Sequence, residues 1–213
     1  VWGDTPMGRT ILGTKESLCG INSDVMRAYM ETHYTCDNMI ISVSGNLCEN
    51  FFELLEQYFG KASLNKGKPQ MPEAEYQSGS IVRRKDIEQL QLVVGFKGID
   101  IMDNSVYSLL VFNNVFGSGM SSRLFQNIRE KYGLVYSICA GHSAYINTGT
   151  FDISAGMSAE NLPKVAELIS DEIDRVKRDK LTKSEVDTAK EMLKGSYILS
   201  YESTGARMQG AGR

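Results

Sequence analysis

The sequence has few of the residues that build metal centres and disulfide scaffolds. Among 213 residues there are two histidines, His33 and His142, and four cysteines. Neither histidine belongs to a His-x-x-Glu-His pair or has a cysteine at zinc-ligand spacing, and no Cys-x-x-Cys pair occurs. The sequence therefore predicts no metal site in this segment. Reduced thiols of a cytoplasmic protein explain the cysteines better than disulfides do.

Charge and hydropathy argue against two further classes of protein. The formal net charge of −3 provides no electrostatic basis for binding nucleic acid or an anionic membrane. No run of about 18 apolar residues is present to form a membrane-spanning helix. The chain is 42% apolar and 23% charged, which is typical of a globular protein, and its length suits one large domain or two smaller ones.

Both ends of the sequence favour a piece of a longer protein. The start, VWGDTPMGRT, has no initial Met and lacks the order of basic and apolar residues found in signal peptides. The end, YESTGARMQGAGR, has no obvious helix cap. Residues 1–22 are rich in Gly and Thr, and we predict a long loop there.

The next part of the chain predicts a helix, a strand and a second helix. Ser23 is the expected N-cap of a helix over DVMRAYMETHY. The short apolar stretch NMIISVSGN is typical of a buried strand. Asn50 then begins a helix over FFELLEQYFG, with Tyr58 on its inner face and Gly60 at its end. Residues 61–80 lose this periodicity and hold two of the four prolines, so they are the predicted interdomain linker.

From residue 81 onward, three strands are predicted. Apolar and polar residues alternate in LQLVVGFK, which favours a strand with one buried face. LVYSICAGHSAY and TGTFDISAGMS form two more, and the YINTG between them predicts an antiparallel hairpin.

Helices flank these strands. They are predicted over residues 105–116, from Ser121 or Ser122 to Lys131, over 159–178 and over 183–200. Thr182 and Glu185 have the spacing of a capping box for the last of these helices. The acidic residues of SDEIDRVKRDK are interpreted as a solvated helix face. The order strand, helix, helix, strand, strand, helix, helix predicts an α+β fold, an antiparallel sheet with helices packed on it.

The stretch SSRLFQNIREKYGLVYSI carries the most suggestive chemistry. Arg129 falls in the last turn of a helix, Gly133 stands where a left-handed residue belongs, and Tyr136 follows in a strand. A guanidinium and a phenol on one surface could bind a peptide carbonyl or its oxyanion. From chemistry alone, a plain helix-to-strand corner explains the pair better, because helix dipoles favour terminal basic residues and strands favour Tyr. Similarly, the Gly117 and Gly119 turn could hold an anion, but a simple helix break explains it better.

Two stretches resemble hallmarks of one family. GMSSRLFQNIREKYGLVYSI closely resembles a motif of the insulinase and mitochondrial processing peptidase family, zinc metallopeptidases with an inverted zinc motif. MGRTILGTKESL and the later MRAYMETHYTCDNMIISVSGNL resemble another hallmark, in the expected order. The resemblance covers nearly the whole chain.

The resemblance implies a domain arrangement and two site residues. Family members pair two similar α+β domains, and the zinc-binding His-x-x-Glu-His normally precedes a segment like GRTILGT. Residues 1–60 then correspond to the C-terminal part of the first, zinc-type domain, and residues 81–213 to most of the second, truncated at its end. Arg129 and Tyr136 take the substrate-binding roles of the second domain. Catalytic and metal-binding residues are then expected in no part of this segment, which alone would be inactive and free of zinc.

The first hypothesis is therefore a fragment of a zinc-dependent processing endopeptidase acting on peptides or unfolded proteins. By resemblance, zinc in the intact protein would activate water, and a homodimer or heterodimer with a second family unit would enclose the substrate. Neither nucleic acid nor a membrane is expected as a partner. The alternative is a non-catalytic scaffold or partner subunit of the same family, and a generic α+β binding module is a third possibility.

Overall fold

The computed structural model describes residues 2–60, 65–67, 71–72 and 74–212. The other residues of the predicted linker, 61–64, 68–70 and 73, lie outside this description. The chain divides into two compact units. One comprises Val1–Met7 with Glu73–Gly195, and the other comprises Gly8–Pro72 with Ser196–Arg213.

The described residues form α-helices, β-strands and several short 3-10 or π-helical turns. The α-helices are α1 Lys15–Cys19, α2 Ser23–His33, α3 Phe51–Leu55, α4 Val106–Phe116, α5 Leu162–Asp179, α6 Lys183–Ser200 and α7 Thr204–Ala211. The strands are β1 Leu90–Lys97, β2 Ser137–Ala144 and β3 Gly149–Met157. The 3-10 turns are Pro6–Gly8, Cys36–Asn38 and Ala159–Asn161, and the π-helical segments are Glu56–Gly60 and Phe125–Glu130. No described helix is long and apolar enough to cross a membrane.

The three strands form one antiparallel sheet in the order β1-β3-β2. Ile153, in the central strand, lies opposite Val94 on one side and Ala140 on the other. The turn of the β2–β3 hairpin is closed by the Tyr145 amide, which donates to the Thr148 carbonyl at 2.8 Å. These elements confirm the predicted α+β class, the hairpin and, over residues 81–200, the order of strands and helices.

One face of the sheet carries the core. Ile153 and Met157 of β3 are fully buried, and so is Val165 of α5, at the centre of that helix's apolar stripe. Aromatic rings add to this layer, with the Phe112 and Phe116 centroids 5.6 and 6.2 Å from that of Phe151. Because strand side chains alternate between faces and helix side chains repeat every three or four residues, these apolar patterns place the core correctly from sequence.

The strand predicted for NMIISVSGN, residues 38–46, is wrong. These residues are not part of a sheet, and Ile40 is 76% exposed. Met39 has extended backbone angles, and the Ser42 hydroxyl donates to the Met208 carbonyl at 2.5 Å. A strand needs a neighbour to pair its backbone groups, and no strand of the described chain lies beside this one.

Two local predictions near the start of the chain also fail. The predicted loop 1–22 contains helix α1, which Thr14 and Ser17 hold with a reciprocal capping box. The cap of α2 is Asn22 rather than Ser23, because the Asn22 carboxamide oxygen accepts from the Asp24 and Val25 amides at 3.0 Å.

The second helix of this region is shorter than predicted, and another helix was missed. α3 ends at Leu55 and continues only as a π-helical turn, in which Tyr58 is exposed rather than inward. Beyond α6, Ser203 precedes α7, which the sequence did not indicate.

Candidate functional site

The helical segment that leads to Arg129 starts at Ser122. The Ser122 hydroxyl accepts from the Phe125 amide at 3.4 Å and donates to the Gly119 carbonyl at 2.7 Å, which confirms the predicted cap. After one α-helical turn the segment becomes π-helical, and the Lys131 amide donates to the Gln126 carbonyl at 3.1 Å. The sequence did not indicate this wider helix. Short π-helical stretches are frequent at functional sites.

Opposite faces of this segment have different environments. Leu124 and Ile128 are 0% and 1% exposed and belong to the core. Phe125 and Arg129 lie on another face, and the guanidinium carbon stands 4.7 Å from the centroid of the Phe125 ring. The core contacts therefore fix the helix, while the residue predicted to bind substrate rests on an aromatic ring.

The guanidinium of Arg129 keeps its donors available. Within the described part of the chain it makes no hydrogen bond and no ion pair, although the side chain is partly buried. The attraction between the cation and the ring requires no hydrogen bond from the guanidinium. Arg129 can therefore donate to a carbonyl or carboxylate oxygen.

A tight turn connects Arg129 to Tyr136. Gly133 has φ +64°, a left-handed conformation that costs a residue with a Cβ about 1 kcal/mol, and its amide donates to the Arg129 carbonyl at 2.9 Å. Asn161 then donates to the Leu134 carbonyl at 3.0 Å, which ties the turn to the start of α5. The left-handed glycine predicted at this position is confirmed.

Tyr136 enters the sheet at the end of this turn. Its amide donates to the Gly156 carbonyl of β3 at 2.8 Å, so its backbone position is held by the sheet. Its side chain is 59% exposed, and its hydroxyl lies 3.4 Å from the Ser158 Oγ. No hydrogen bond between described atoms joins Tyr136 to Arg129. The turn places both residues at one corner of the fold. Neither side chain donates a hydrogen bond to the other.

A charged cluster beneath the corner was missed by the sequence reading. Arg123 donates to Glu185 from Nε to Oε1 at 2.7 Å and from Nη2 to Oε2 at 2.8 Å. Its Nη2 also donates to the carbonyl of Lys180 at 3.2 Å. Glu185 at the same time completes the predicted capping box, since the Thr182 amide donates to its Oε2 at 2.7 Å. The hydrogen bonds from Arg123 lower the pKa of Glu185 from 4.5 to about 2, against the opposing effect of burial.

Glu172 belongs to the same cluster and corrects the interpretation of its helix as a solvated face. It is 2% exposed, and its Oε2 accepts from Asn127 at 3.0 Å and pairs with Arg175 at 3.1 Å. Arg123 lies 3.9 Å from its other oxygen. A buried carboxylate is costly without such partners. The segment carrying Arg129 is therefore anchored through Arg123 and Asn127 to α5 and to the start of α6.

The two glycines of FGSGMSS have structural roles. Gly117 is buried against β2, where its carbonyl accepts from the Ala140 amide at 3.0 Å, and a Cβ there would lie 2.5 Å from the Ala140 nitrogen. Gly119 has φ +94°, and its carbonyl accepts from Ser122. These contacts fit a helix break better than an anion cradle.

The two histidines do not assemble a metal site with other described residues. His33, at the end of α2, stacks on Tyr29 with ring centroids 4.2 Å apart, and His142 pairs with Phe151 in the sheet. Within the described ranges, no group of three or more His, Cys, Asp or Glu residues is placed to hold a metal ion. These residues do not fit the zinc ion that the family resemblance implies.

Comparison with known proteins defines the class first. A family model described as "Peptidase M16 inactive domain" matches residues 20–193. The chain belongs to this peptidase family, which agrees with the resemblance noted from its motifs.

Two relatives of the chain are named as zinc proteases. The chain is 39% identical over 212 residues to an uncharacterized zinc protease, YmxG, of Bacillus subtilis, covering 100% of the chain and 52% of that protein. It is 31% identical over 222 residues to an uncharacterized zinc protease of Streptomyces coelicolor, covering 100% of the chain and 48% of that protein. The chain thus spans about half the length of these zinc proteases.

Solved structures share the fold. The "peptidase M16 inactive domain" structure from Pseudomonas fluorescens has a TM-score of 0.79 at 23% identity, covering 100% of the chain and 52% of that protein. A chain in the structure of Complex III2 from Candida albicans has a TM-score of 0.86 at 17% identity. The match covers 99% of the present chain and 52% of that chain. At these identities the likeness shows the fold alone.

Proposed function

We propose that this chain is the substrate-positioning part of a zinc-dependent processing endopeptidase. The observation that carries the proposal is the corner at Gly133, where Arg129 rests on an aromatic ring with unpaired donors and Tyr136 projects from the adjacent sheet edge. Membership of a peptidase family and the zinc-protease names of the relatives support it. The zinc of the intact enzyme is bound by residues outside the described part of this chain.

Arg129 supplies a positive charge and two adjacent hydrogen-bond donors. A guanidinium binds a carbonyl or carboxylate oxygen through adjacent N–H groups, and its charge stabilises the negative oxygen that develops during peptide hydrolysis. Because the helix beneath it is held by the core and by Arg123, the donors have a defined position. A group held in place before the reaction loses less freedom when the substrate binds.

Tyr136 supplies a neutral donor. Its hydroxyl, 3.4 Å from the Ser158 Oγ, can donate to a substrate carbonyl. Since the Tyr136 backbone is hydrogen-bonded into the sheet, the hydroxyl extends from a rigid support. The two residues together suit an extended peptide or an unfolded protein segment.

The working enzyme contains a second family unit, from the same chain or another, that brings the zinc-binding residues opposite this corner. The length of the relatives, about twice the matched part, supports further domains. A cytoplasmic location is part of the proposal, because four cysteines without a Cys-x-x-Cys pair are few for the disulfide scaffold of a secreted protein.

The test is Arg129→Ala in the full-length protein, assayed with internally quenched peptides. Loss of an oxyanion donor lowers kcat/KM by about one to three orders of magnitude. Arg178→Ala is the matched control, because Arg178 pairs with Asp179 on the exposed surface of α5, and its activity is expected to equal that of the wild type.

An unchanged kcat/KM in Arg129→Ala contradicts the assignment. A wild-type protein that cleaves no peptide and binds no zinc at neutral pH supports the alternative, a non-catalytic scaffold or partner subunit. The presence of His-x-x-Glu-His in the full-length sequence separates these two functions before any assay.

A further inference from the structure

The ring of Phe125 lies directly under the charge of Arg129. The two residues stand four positions apart, on consecutive turns of one helical segment, with the guanidinium carbon 4.7 Å from the ring centroid. At this distance the negative face of an aromatic ring attracts a cation, and Arg is the cation most often found in such pairs.

The backbone that carries the ring is held in place. The Phe125 amide donates to Ser122 Oγ, and the adjacent Leu124 is fully buried in the core. Two residues later, Asn127 donates to the buried carboxylate of Glu172. The ring therefore extends from a fixed backbone position, whereas an arginine side chain without a contact of this kind samples many rotamers.

The ring attracts the guanidinium through its charge, and this attraction requires no hydrogen bond. The N–H groups of the guanidinium therefore stay available as donors. A side chain already held in its binding orientation loses less entropy when a ligand arrives, which strengthens binding without any new contact to the ligand.

We propose that Phe125 is a positioning residue for Arg129, whose ring holds the guanidinium in the orientation that meets the substrate. This inference rests on the proposed function. It extends that function to a residue that touches neither substrate nor metal.

The experiment replaces Phe125 with pentafluorophenylalanine in the full-length protein. This side chain keeps the shape of the ring but removes its negative face, so the packing of the corner is preserved. We expect kcat/KM for a quenched peptide to fall about three- to tenfold, as loss of a cation–π contact predicts. Phe125→Tyr, which keeps the negative face, is expected to stay within about twofold of the wild type.

The same corner offers a matched control. Lys131 lies over the ring of Tyr132, with Nζ 5.4 Å from the centroid, and Tyr132 is 46% exposed. Tyr132→Leu removes a cation–π pair of similar geometry that does not involve Arg129. Its kcat/KM is expected to equal that of the wild type.

A double substitution separates positioning from general packing. If Phe125 acts through Arg129, the pentafluorophenylalanine change causes no further loss in the Arg129→Ala background. Additive losses overturn the inference, as does a normal kcat/KM for the pentafluorinated protein while Arg129→Ala is impaired; in both cases the proposed function stands. A normal rate for Arg129→Ala overturns the proposed function and this inference together.

Discussion

Arg123 binds both carboxylate oxygens of Glu185, at 2.7 and 2.8 Å, although 62 positions separate the two residues. This bidentate pair ties the helical segment that carries Arg129 to the first turn of α6. The same carboxylate also accepts from the amide and hydroxyl of Thr182, at 2.7 and 2.8 Å. One side chain thus caps a helix and anchors the candidate site.

Acid is expected to weaken this anchor. Hydrogen bonds from Arg123 and, to a smaller extent, from Thr182 lower the pKa of Glu185 from 4.5 to about 2, so the folded state holds the carboxylate charged where an unfolded chain would protonate it. The stabilisation is complete above pH 4.5 and is lost as the pH falls from 4.5 towards 2. Because Glu185 is 30% exposed, we expect a contribution of about 1–2 kcal/mol, less than the full shift implies.

The measurement is hydrogen exchange of the α6 amides in wild type and Glu185→Gln. The difference between their opening free energies is expected to be largest at pH 6 and to shrink as the pH falls from 4.5 towards 2. Glu191→Gln is the control, because Glu191 forms an exposed pair with Lys194 and no pH-dependent difference is expected. A Glu185→Gln difference that is constant with pH would contradict the assigned role.

Removal of Arg123 is expected to loosen the segment under Arg129. Arg123→Ala deprives Glu185 of its main partner and Glu172, 2% exposed, of one of its two cations. Breaking such a partly buried network costs about 2–4 kcal/mol, whereas Arg178→Ala, at an exposed pair, costs at most about 0.5 kcal/mol. Hydrogen exchange of the amides of residues 123–131 measures the difference. Equal protection in both variants means that the cluster does not anchor the segment.

Gly117→Ala is expected to disrupt the contact between α4 and β2. A Cβ at this position would meet the Ala140 backbone, with the nitrogen 2.5 Å away, and a backbone cannot rotate aside as a side chain can. We expect about 2–3 kcal/mol of destabilisation, measured as loss of exchange protection in β2. At Gly195, in α6, a Cβ meets nothing within 4 Å, so Gly195→Ala is expected to be neutral or stabilising. Unchanged exchange protection of β2 in Gly117→Ala would mean that close contact between Gly117 and β2 does not stabilise the fold.

Tyr136→Phe is expected to lower activity while leaving the fold intact. The ring keeps its place, and only the exposed hydroxyl near Ser158 is lost. Loss of one neutral donor that acts in the transition state lowers kcat about tenfold or more, with a smaller change in KM. Tyr145→Phe, at an exposed position in the hairpin turn, is the control. If Tyr136→Phe has the kcat of the wild type, the Tyr136 hydroxyl is not part of the functional site.

Several features were predictable because they depend on neighbours in sequence. The left-handed Gly133, the Ser122 cap and the box between Thr182 and Glu185 each involve groups within a few residues. The alternation in β1 and the apolar stripe of α5 likewise report which face is buried. Local chemistry of this kind acts in the same way in most tertiary settings.

Two of the failures, the strand at residues 38–46 and the solvated face at Glu172, share one physical cause. Residues 38–46 have the composition of a strand but lie beside no described strand, so their backbone groups cannot form a ladder. Glu172 has the sequence context of a surface helix but is buried, because Arg123 and Asn127 arrive from a distant segment to pair with it. Neither outcome is encoded within ten residues of the side chain concerned.

The sequence by itself determined the α+β order, the helix-to-strand corner and, through its motifs, the peptidase family. Only the tertiary structure decided that Arg129 rests on Phe125 with its donors unpaired, and that Arg123, Glu172 and Glu185 anchor the helix below. Periodicity and capping are short-range effects that a linear pattern records. Charge pairing across long separations depends on which surfaces the folded chain brings together.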